Sequence, residues 1–181
     1  RKFPELKVAL SEGGTGWIPY FLERIDRNFE LHKAWTLQDF GGLKPSEVFK
    51  RNFLTCFISD DLGIGLRDYI GVQNMAWEAD YPHSDGMWPV APEELMAQFQ
   101  KWNVPDHEIN AMTHETAMQW YSFDPFQHIK REDATVAALR KSVEGHDVSI
   151  QSLSKRKADP DEKIEHFRKR ARAAIAAGIA S

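Results

Sequence analysis

The chain has 181 residues, with 23 Lys and Arg, 27 Asp and Glu and a formal net charge of −4. An apolar share of 42% and a charged share of 28% are typical of an ordinary soluble globular protein. This composition excludes collagen-like, disulfide-stapled and wholly disordered chains, and no apolar run reaches the roughly 18 residues of a membrane-spanning helix. We therefore expect about one domain and no membrane partner.

The cysteine content and the start of the chain bear on its compartment. The single Cys56 can form neither an internal disulfide nor a cysteine-based metal site, which favours a reducing compartment. The chain begins with Arg1 and has no charged-then-apolar leader, so no secretory signal is visible. We expect a cytoplasmic protein whose natural start was removed, or a chain that begins inside a longer polypeptide.

The charge is unevenly distributed along the chain. Residues 155–181 carry eight Lys and Arg and four Asp and Glu, whereas residues 1–154 have a net charge of −8. An acidic body repels phosphate backbones, so nucleic acid is not an expected partner. The basic end could contact an anion, but we interpret it as a solvated helix that docks on the acidic body.

Apolar patterning predicts alternating strands and helices. Three nearly continuous apolar segments predict buried strands: residues 6–10, 53–58 and 74–77. Apolar residues at helical spacing predict helices over 17–40, 62–69, 92–102 and 105–121, with a short turn or helix at 45–49. The alternation predicts an α/β fold with a parallel sheet covered by helices. Three strands would leave two sheet edges and much of one face uncovered.

The pattern changes after residue 128, where we place a domain boundary. Residues 1–128 form the predicted α/β body, and residues 129–181 are predicted to be a wrapping tail. The end of the tail is predicted to be a basic amphipathic helix over about 160–177. Asp159 and Pro160 are residues that favour a helix start, and Gly178 is one that favours a helix end.

Each predicted strand ends in acidic residues. The clusters are Ser11-Glu12, Ser59-Asp60-Asp61 and Glu78-Ala79-Asp80. In parallel α/β folds, functional sites are built at the carboxyl ends of the strands. The sequence therefore predicts that Glu12, Asp60 and Asp80 lie on one rim of the sheet, with Asp80 innermost.

Three blocks of sequence carry a resemblance to a known family. They are Phe-Pro-Glu-Leu-Lys with Ser-Glu-Gly-Gly and Trp-Ile-Pro-Tyr in residues 3–26, Ala-Trp-Glu-Ala-Asp-Tyr-Pro-His-Ser-Asp with Trp-Pro in residues 76–89, and Thr-His-Glu-Thr-Ala-Met with Tyr-Ser-Phe in residues 113–123. Their order and spacing resemble the C-terminal part of amidohydrolase-related proteins. This metal-dependent (β/α)8-barrel group includes aminocarboxymuconate-semialdehyde decarboxylase. The resemblance covers about residues 1–128 and implies barrel strands six, seven and eight with their helices.

The chain departs from the family pattern at several places. The family's His-x-His after the first strand and the metal-binding His after the fifth strand are absent from it. Many relatives carry His where this chain has Glu12, and Thr116 replaces a usual Asn. The departure at Glu12 leaves the identity of the acid/base group open.

The resemblance implies that Asp80 ligates a catalytic divalent metal and accepts a proton from metal-bound water. A carboxylate together with imidazoles suits Zn²⁺ best, with Mn²⁺ as the alternative; without the resemblance, Asp80 reads as a turn or cap residue. Glu12 is interpreted either as a general acid/base or substrate-orienting group, or as a buried Glu paired with Arg24.

Further candidates lie around these two acids. His83, three residues after Asp80, could support the metal site or contact substrate, or it could simply pack in its loop. Trp17 and Tyr20 could line a substrate pocket, although such residues more often pack in a core. Asp60 and Asp61 are expected to cap the following helix.

Two hypotheses for the function follow. In the first, the chain is part of a metal-dependent enzyme that hydrolyses a C–O or C–N bond of an amide or ester, or decarboxylates a small carboxylic acid. In the second, it is a non-catalytic α/β interaction domain with structural acids. Because Asp80 alone cannot hold a metal ion, we expect the isolated chain to be inactive. Its open edges should require the missing N-terminal barrel half or self-association.

Overall fold

A computed structural model describes residues 3–147 together with Glu165 and Lys169. Its sheet contains β1 (Val8–Leu10), β2 (Phe53–Phe57) and β3 (Met75–Trp77). The order is β1-β2-β3, and both neighbouring pairs are parallel. The predicted parallel α/β sheet is confirmed, with strands that are shorter than predicted.

Helices connect and flank the strands in the described residues. They are α1 (Ile18–Thr36), α2 (Pro45–Asn52), α3 (Asp61–Gly65), α4 (Arg67–Ile70), α5 (Ala91–Lys101), α6 (Asp106–Asn110), α7 (Thr116–Tyr121) and α8 (Val136–Ser142). A π-helical segment, Ala111–Glu115, joins α6 to α7, and 3₁₀ turns occur at Val72–Asn74, Pro125–Gln127 and Arg131–Ala134. The helix predicted over 62–69 is two short helices, and the one predicted over 105–121 contains the π segment.

The larger apolar cluster lies between the sheet and its helices. Its fully buried members come from the strands, from α1, α3, α4 and α5 and from the π segment: Ile18, Phe57, Ile64, Ile70, Met75, Phe99 and Met112. Each buried large apolar side chain contributes about 1.5–3 kcal/mol relative to an exposed one. This cluster therefore fixes the positions of the strand ends.

A second cluster covers the opposite face of the sheet. Leu54, Cys56 and Ala76 are buried there, and Trp120 of α7 packs against them. The ammonium group of Lys7, just before β1, lies 4.6 Å from the Trp120 ring centroid. The expectation that this face is largely uncovered is therefore wrong for β2 and β3, because α7 supplies cover that the pattern of strands did not reveal.

The described part of the tail returns to the body. In α8, the Arg140 guanidinium donates to both carboxylate oxygens of Glu93 in α5, at 2.6 and 3.0 Å. This pairing lowers the pKa of Glu93. The division into 1–128 and 129–181 stays a prediction, and the helix predicted over 160–177 lies outside the described residues apart from Glu165 and Lys169. Among the residues that the structure describes, no helix is both long and apolar enough to cross a membrane.

Candidate metal and catalytic site

The two strand-end acids of β1 and β3 have an unusual backbone conformation. Glu12, two residues past β1, has φ 60°, and Asp80, three residues past β3, has φ 50°. Residues other than glycine adopt this left-handed region uncommonly. The chain turns sharply at both positions, directly after the strands end.

Glu12, Asp80 and His83 converge at this end of the sheet. His83 N–H donates to the Asp80 carbonyl at 2.8 Å, and the turn brings His83 Nδ1 to 2.7 Å from Asp80 Oδ1. The same nitrogen lies 4.0 Å from Glu12 Oε1. One donor atom from each residue lies within 4.8 Å of the other two.

The three side chains differ in exposure. The Asp80 side chain is 9% exposed, whereas those of Glu12 and His83 are 57% and 67% exposed. Two carboxylates and one imidazole are a suitable donor set for Zn²⁺ or Mn²⁺. Asp80 is the least exposed of the three and lies at the base of the group. Glu12 and His83 are two further candidate metal ligands beside Asp80, which was the single metal ligand expected from the sequence.

Asp60 belongs to a different, structural network. Its Oδ2 accepts hydrogen bonds from the Thr15 amide, the Thr15 hydroxyl at 3.0 Å and the Gly16 amide at 2.9 Å. Its Oδ1 accepts from the Gly63 amide at 2.9 Å. Asp60 thus caps α3, as predicted, and also fixes the turn between β1 and α1.

Asp61 does not share this capping role. Its carboxylate accepts from Lys101 Nζ at 2.5 Å and from Trp102 Nε1 at 2.9 Å. The prediction that Asp61 caps the following helix is wrong, because its side chain points to the end of α5 instead.

Glu78 also contacts the site, although sequence analysis indicated no role for it beyond its strand-end position. Its carboxylate accepts from the Ser11 hydroxyl and, at 2.5 Å, from the Glu12 amide. Its position two residues before Asp80 placed it near the site but did not indicate these hydrogen-bond partners. The alternative that pairs a buried Glu12 with Arg24 does not fit, since Glu12 is mostly exposed and lies beside His83.

The predicted aromatic residues lie on the segment that follows Glu12. The Trp17 indole N–H donates to the Gly13 and Gly14 carbonyls at 3.2 and 3.1 Å. Tyr20, in the first turn of α1, is 71% exposed. Their roles in substrate binding stay predictions.

A cavity of about 520 Å³ opens at the other end of the sheet. The residues that line it belong mainly to the segments before β2 and β3 and to α4, α6 and the π segment: Lys50, Arg67, Asp68, Gly71, Val72, Gln73, His107, Glu108, Ala111, Glu115, Thr116 and Gln119. Its most buried ion pair joins Arg67 Nε to Glu108 Oε2 at 2.6 Å. None of the predicted site residues lines this cavity.

Comparison with known families identifies the class of protein. A family model for amidohydrolases matches residues 1–123, so the chain belongs to the amidohydrolase family. This confirms the resemblance seen in the three sequence blocks. No curated protein matches the chain.

A solved structure shares the fold. The crystal structure of 5-carboxyvanillate decarboxylase LigW from Sphingomonas paucimobilis matches with a TM-score of 0.52 and 24% sequence identity. The match covers 68% of this chain and 36% of that chain, so the chain spans about a third of the length of that protein. The likeness concerns the fold, a small parallel sheet with helices similar to part of a larger barrel enzyme.

Proposed function

We propose that the chain forms part of a cytoplasmic, metal-dependent amidohydrolase-like enzyme that acts on a small carboxylic acid, amide or ester. The observation that carries this proposal is the convergence of Asp80, His83 and Glu12 at the carboxyl ends of the strands. Family membership over residues 1–123 supports it, because barrel enzymes build their sites at this end of the sheet.

The donor set fits a single divalent cation. Asp80 and Glu12 would offer carboxylate oxygens and His83 an imidazole nitrogen, a combination suited to Zn²⁺ first and Mn²⁺ second. A bound ion would supply Lewis acidity and a water of lowered pKa. Because a structural comparison covers only 36% of the longer enzyme, we infer that further ligands come from the missing barrel half or from a second copy.

The side chains have distinct roles in this proposal. Asp80 is the least exposed of the three and takes the proton from the attacking water. Before an ion binds, His83 Nδ1, at 2.7 Å from Asp80 Oδ1, holds the Asp80 carboxylate in one orientation. Glu12 serves as the acid/base or orients the substrate, and Trp17 and Tyr20 form the apolar side of the substrate pocket.

Two reactions remain within this proposal, hydrolysis of a C–O or C–N bond and decarboxylation. The structural neighbour is named as a decarboxylase of 5-carboxyvanillate, which makes small aromatic carboxylic acids the first substrates to test. The exposed aromatic groups of Trp17 and Tyr20 suit a planar substrate of this kind.

One observation favours the second hypothesis, a non-catalytic interaction domain. Asp60 and Glu78 accept hydrogen bonds from backbone amides, so two of the strand-end acids have structural partners. A folded intact protein that binds no Zn²⁺ or Mn²⁺ and turns over none of the tested substrates would support this alternative.

The deciding experiment is Asp80→Asn in the intact polypeptide. The amide is nearly isosteric but ligates poorly and cannot accept the proton, so turnover should fall about 100-fold or more with unchanged circular dichroism. Turnover is measured as CO₂ release and as ester or amide hydrolysis, and metal content by mass spectrometry.

Asp85→Asn, an exposed position in the same loop, is the matched control and should retain activity. Normal turnover and normal metal content in Asp80→Asn would eliminate the assigned role.

A further inference from the structure

We propose that Glu78 is a positioning residue that holds Glu12 in its place at the site. The inference rests on the proposed function, since it concerns the same site, but its central claim is about the geometry of Glu12. The observation behind it is a side-chain bridge from the end of β3 to the end of β1, on either side of β2.

The backbone of Glu78 is itself fixed. Its amide donates to the Phe57 carbonyl at 2.9 Å, which extends the pairing of β3 with β2 by one residue. From this fixed position the carboxylate reaches the β1 terminus, where Oε2 accepts from the Ser11 hydroxyl and Oε1 from the Glu12 amide at 2.5 Å. The bridge therefore joins two segments that are 66 residues apart in sequence.

Glu12 needs such a partner for two reasons. Its left-handed backbone, at φ 60°, is unfavourable for a residue with a side chain. It is followed by Gly13 and by Gly14, whose φ is also positive at 62°, so the segment after it is intrinsically permissive. A charge-assisted hydrogen bond to the Glu12 amide offsets this cost and selects one conformation.

That conformation directs Glu12 toward the other candidate ligands. With its amide held by Glu78, the Glu12 carboxylate lies 4.0 Å from His83 Nδ1. Rotation about the Glu12 backbone would move the carboxylate away from Asp80 and His83. Glu78 therefore acts on the site through Glu12 and needs no contact with metal or substrate.

A carboxylate is the side chain that suits this role. The Ser11 hydroxyl and the Glu12 amide are both donors, so two acceptor oxygens are required. Glutamine offers one acceptor oxygen and one NH₂ donor, so Glu78→Gln would leave one bond unmade and place a donor against a donor. Glu78→Gln thus removes the bridge with almost no change in shape.

The first measurement tests the geometry of Glu12 and requires no metal ion. Amide hydrogen exchange of residues 11–14 is followed by mass spectrometry or NMR in the intact protein without added ions. Glu78→Gln should speed exchange of the Glu12 amide about 10-fold or more, whereas Glu5→Gln, exposed and ahead of β1, should leave it unchanged. Unchanged Glu12 exchange in Glu78→Gln would overturn the proposal.

The second measurement is a double-mutant cycle on Mn²⁺ affinity, read by calorimetry. Loss of a residue that orients a ligand typically weakens metal binding 10–100-fold, so Glu78→Gln should fall in that range. In a Glu12→Ala background the same substitution should have no further effect, because its only route to the ion is gone. An equal further loss in that background would contradict positioning through Glu12.

The proposed function and the positioning role of Glu78 can be refuted independently. If the wild-type protein binds no Mn²⁺ while Glu12 exchange still depends on Glu78, the proposed function is wrong and the positioning stands. If Mn²⁺ binds and Glu12 exchange is unaffected by Glu78→Gln, the positioning is wrong and the proposed function stands.

Discussion

At the scale of single residues, the Asp60 carboxylate accepts four hydrogen bonds that link the turn before α1 to the start of α3. Its two oxygens serve donors from Thr15, Gly16 and Gly63, which belong to segments before α1 and within α3. Hydrogen bonds to charged groups are each worth about 1.5–3 kcal/mol. Asp60 therefore stabilises the fold close to the site without being a candidate ligand.

We predict that Asp60→Ala lowers the free energy of unfolding by about 2–4 kcal/mol, because buried and half-buried donors lose a charged acceptor. Urea unfolding followed by circular dichroism measures the change. Asp106→Ala, an exposed acid at the start of α6, should change it by less than about 0.5 kcal/mol. Equal midpoints for the two variants would show that the Asp60 network contributes little.

Cys56 gives a prediction about pH. Burial, with a smaller contribution from the charge of Glu78, raises the pKa of the Cys56 thiol from 9.0 to about 11. In the unfolded chain the thiol ionises near its ordinary value, so above about pH 9 the unfolded state releases a proton that the folded state keeps. The stabilising contribution is thus fully present below about pH 9 and is lost as pH rises toward about 11, by up to ~2 kcal/mol.

The measurement is the difference in unfolding free energy between the wild-type chain and Cys56→Ala at several values between pH 8.5 and 10.5. Other groups titrate in this range, but they are common to both proteins and cancel in the difference. A difference that does not vary with pH would mean that the buried thiol ionises as easily as the unfolded one.

The residues of the site were predictable to different degrees. Asp80 and Glu12 could be singled out because each follows an apolar strand, and Asp60 because it precedes a helix. The role of Glu78 could not be deduced, since its partners Ser11 and Glu12 lie 67 and 66 residues away. Long-range hydrogen bonds depend on the strand order, which a local pattern does not specify.

At the scale of elements, the region predicted as one helix over 62–69 contains two glycines that allow close packing. A Cβ on Gly65 would lie 2.6 Å from the Trp102 ring, and one on Gly63 would lie 1.9 Å from Thr15 Oγ1. The glycines let α3 approach the β1–α1 turn and α5 closely. The residue types predicted a weak helix, but the close approach depends on tertiary contacts.

We predict that Gly63→Ala destabilises the protein by about 2 kcal/mol or more, since a methyl group cannot fit beside Thr15 and Asp60 without moving the Asp60 network. Differential scanning calorimetry would record the lower melting temperature. Gly13→Ala is the control, because the nearest atom to its added Cβ is 3.9 Å away. Similar melting temperatures for the two variants would indicate that the β1–α1 turn relaxes at little cost.

The apolar pattern of the sequence predicts the strands but does not predict the π segment. The three strands were found from apolar runs, and their shared direction followed from the alternation with helices. The π segment Ala111–Glu115 was not predicted from the apolar spacing. Met112, within this segment, packs in the larger apolar cluster, whereas Trp120 of α7 packs in the second cluster.

At the scale of the whole molecule, the sheet of the described residues has two edge strands, β1 and β3, and each pairs only with β2. In the described part of the chain, β3 also contacts the π segment and α7, so β1 is the less covered of the two edges. Near β1, Phe3 is 66% and Leu6 is 59% exposed. An unpaired edge beside exposed apolar groups favours pairing with another strand.

We predict that the 181-residue chain by itself self-associates through the open edge of β1 and shows no turnover. Size-exclusion chromatography with light scattering should give a mass above that of a monomer, increasing with concentration. Ala9→Lys, at an exposed position of β1, should reduce association, because a charged lysine on an edge strand opposes further pairing. Ala34→Lys, which adds the same charge on the exposed side of α1, should not. If the wild-type chain is instead a folded monomer at every concentration and Ala9→Lys changes nothing, β1 is covered by residues of its own chain, and the idea that the edge needs an external strand is wrong.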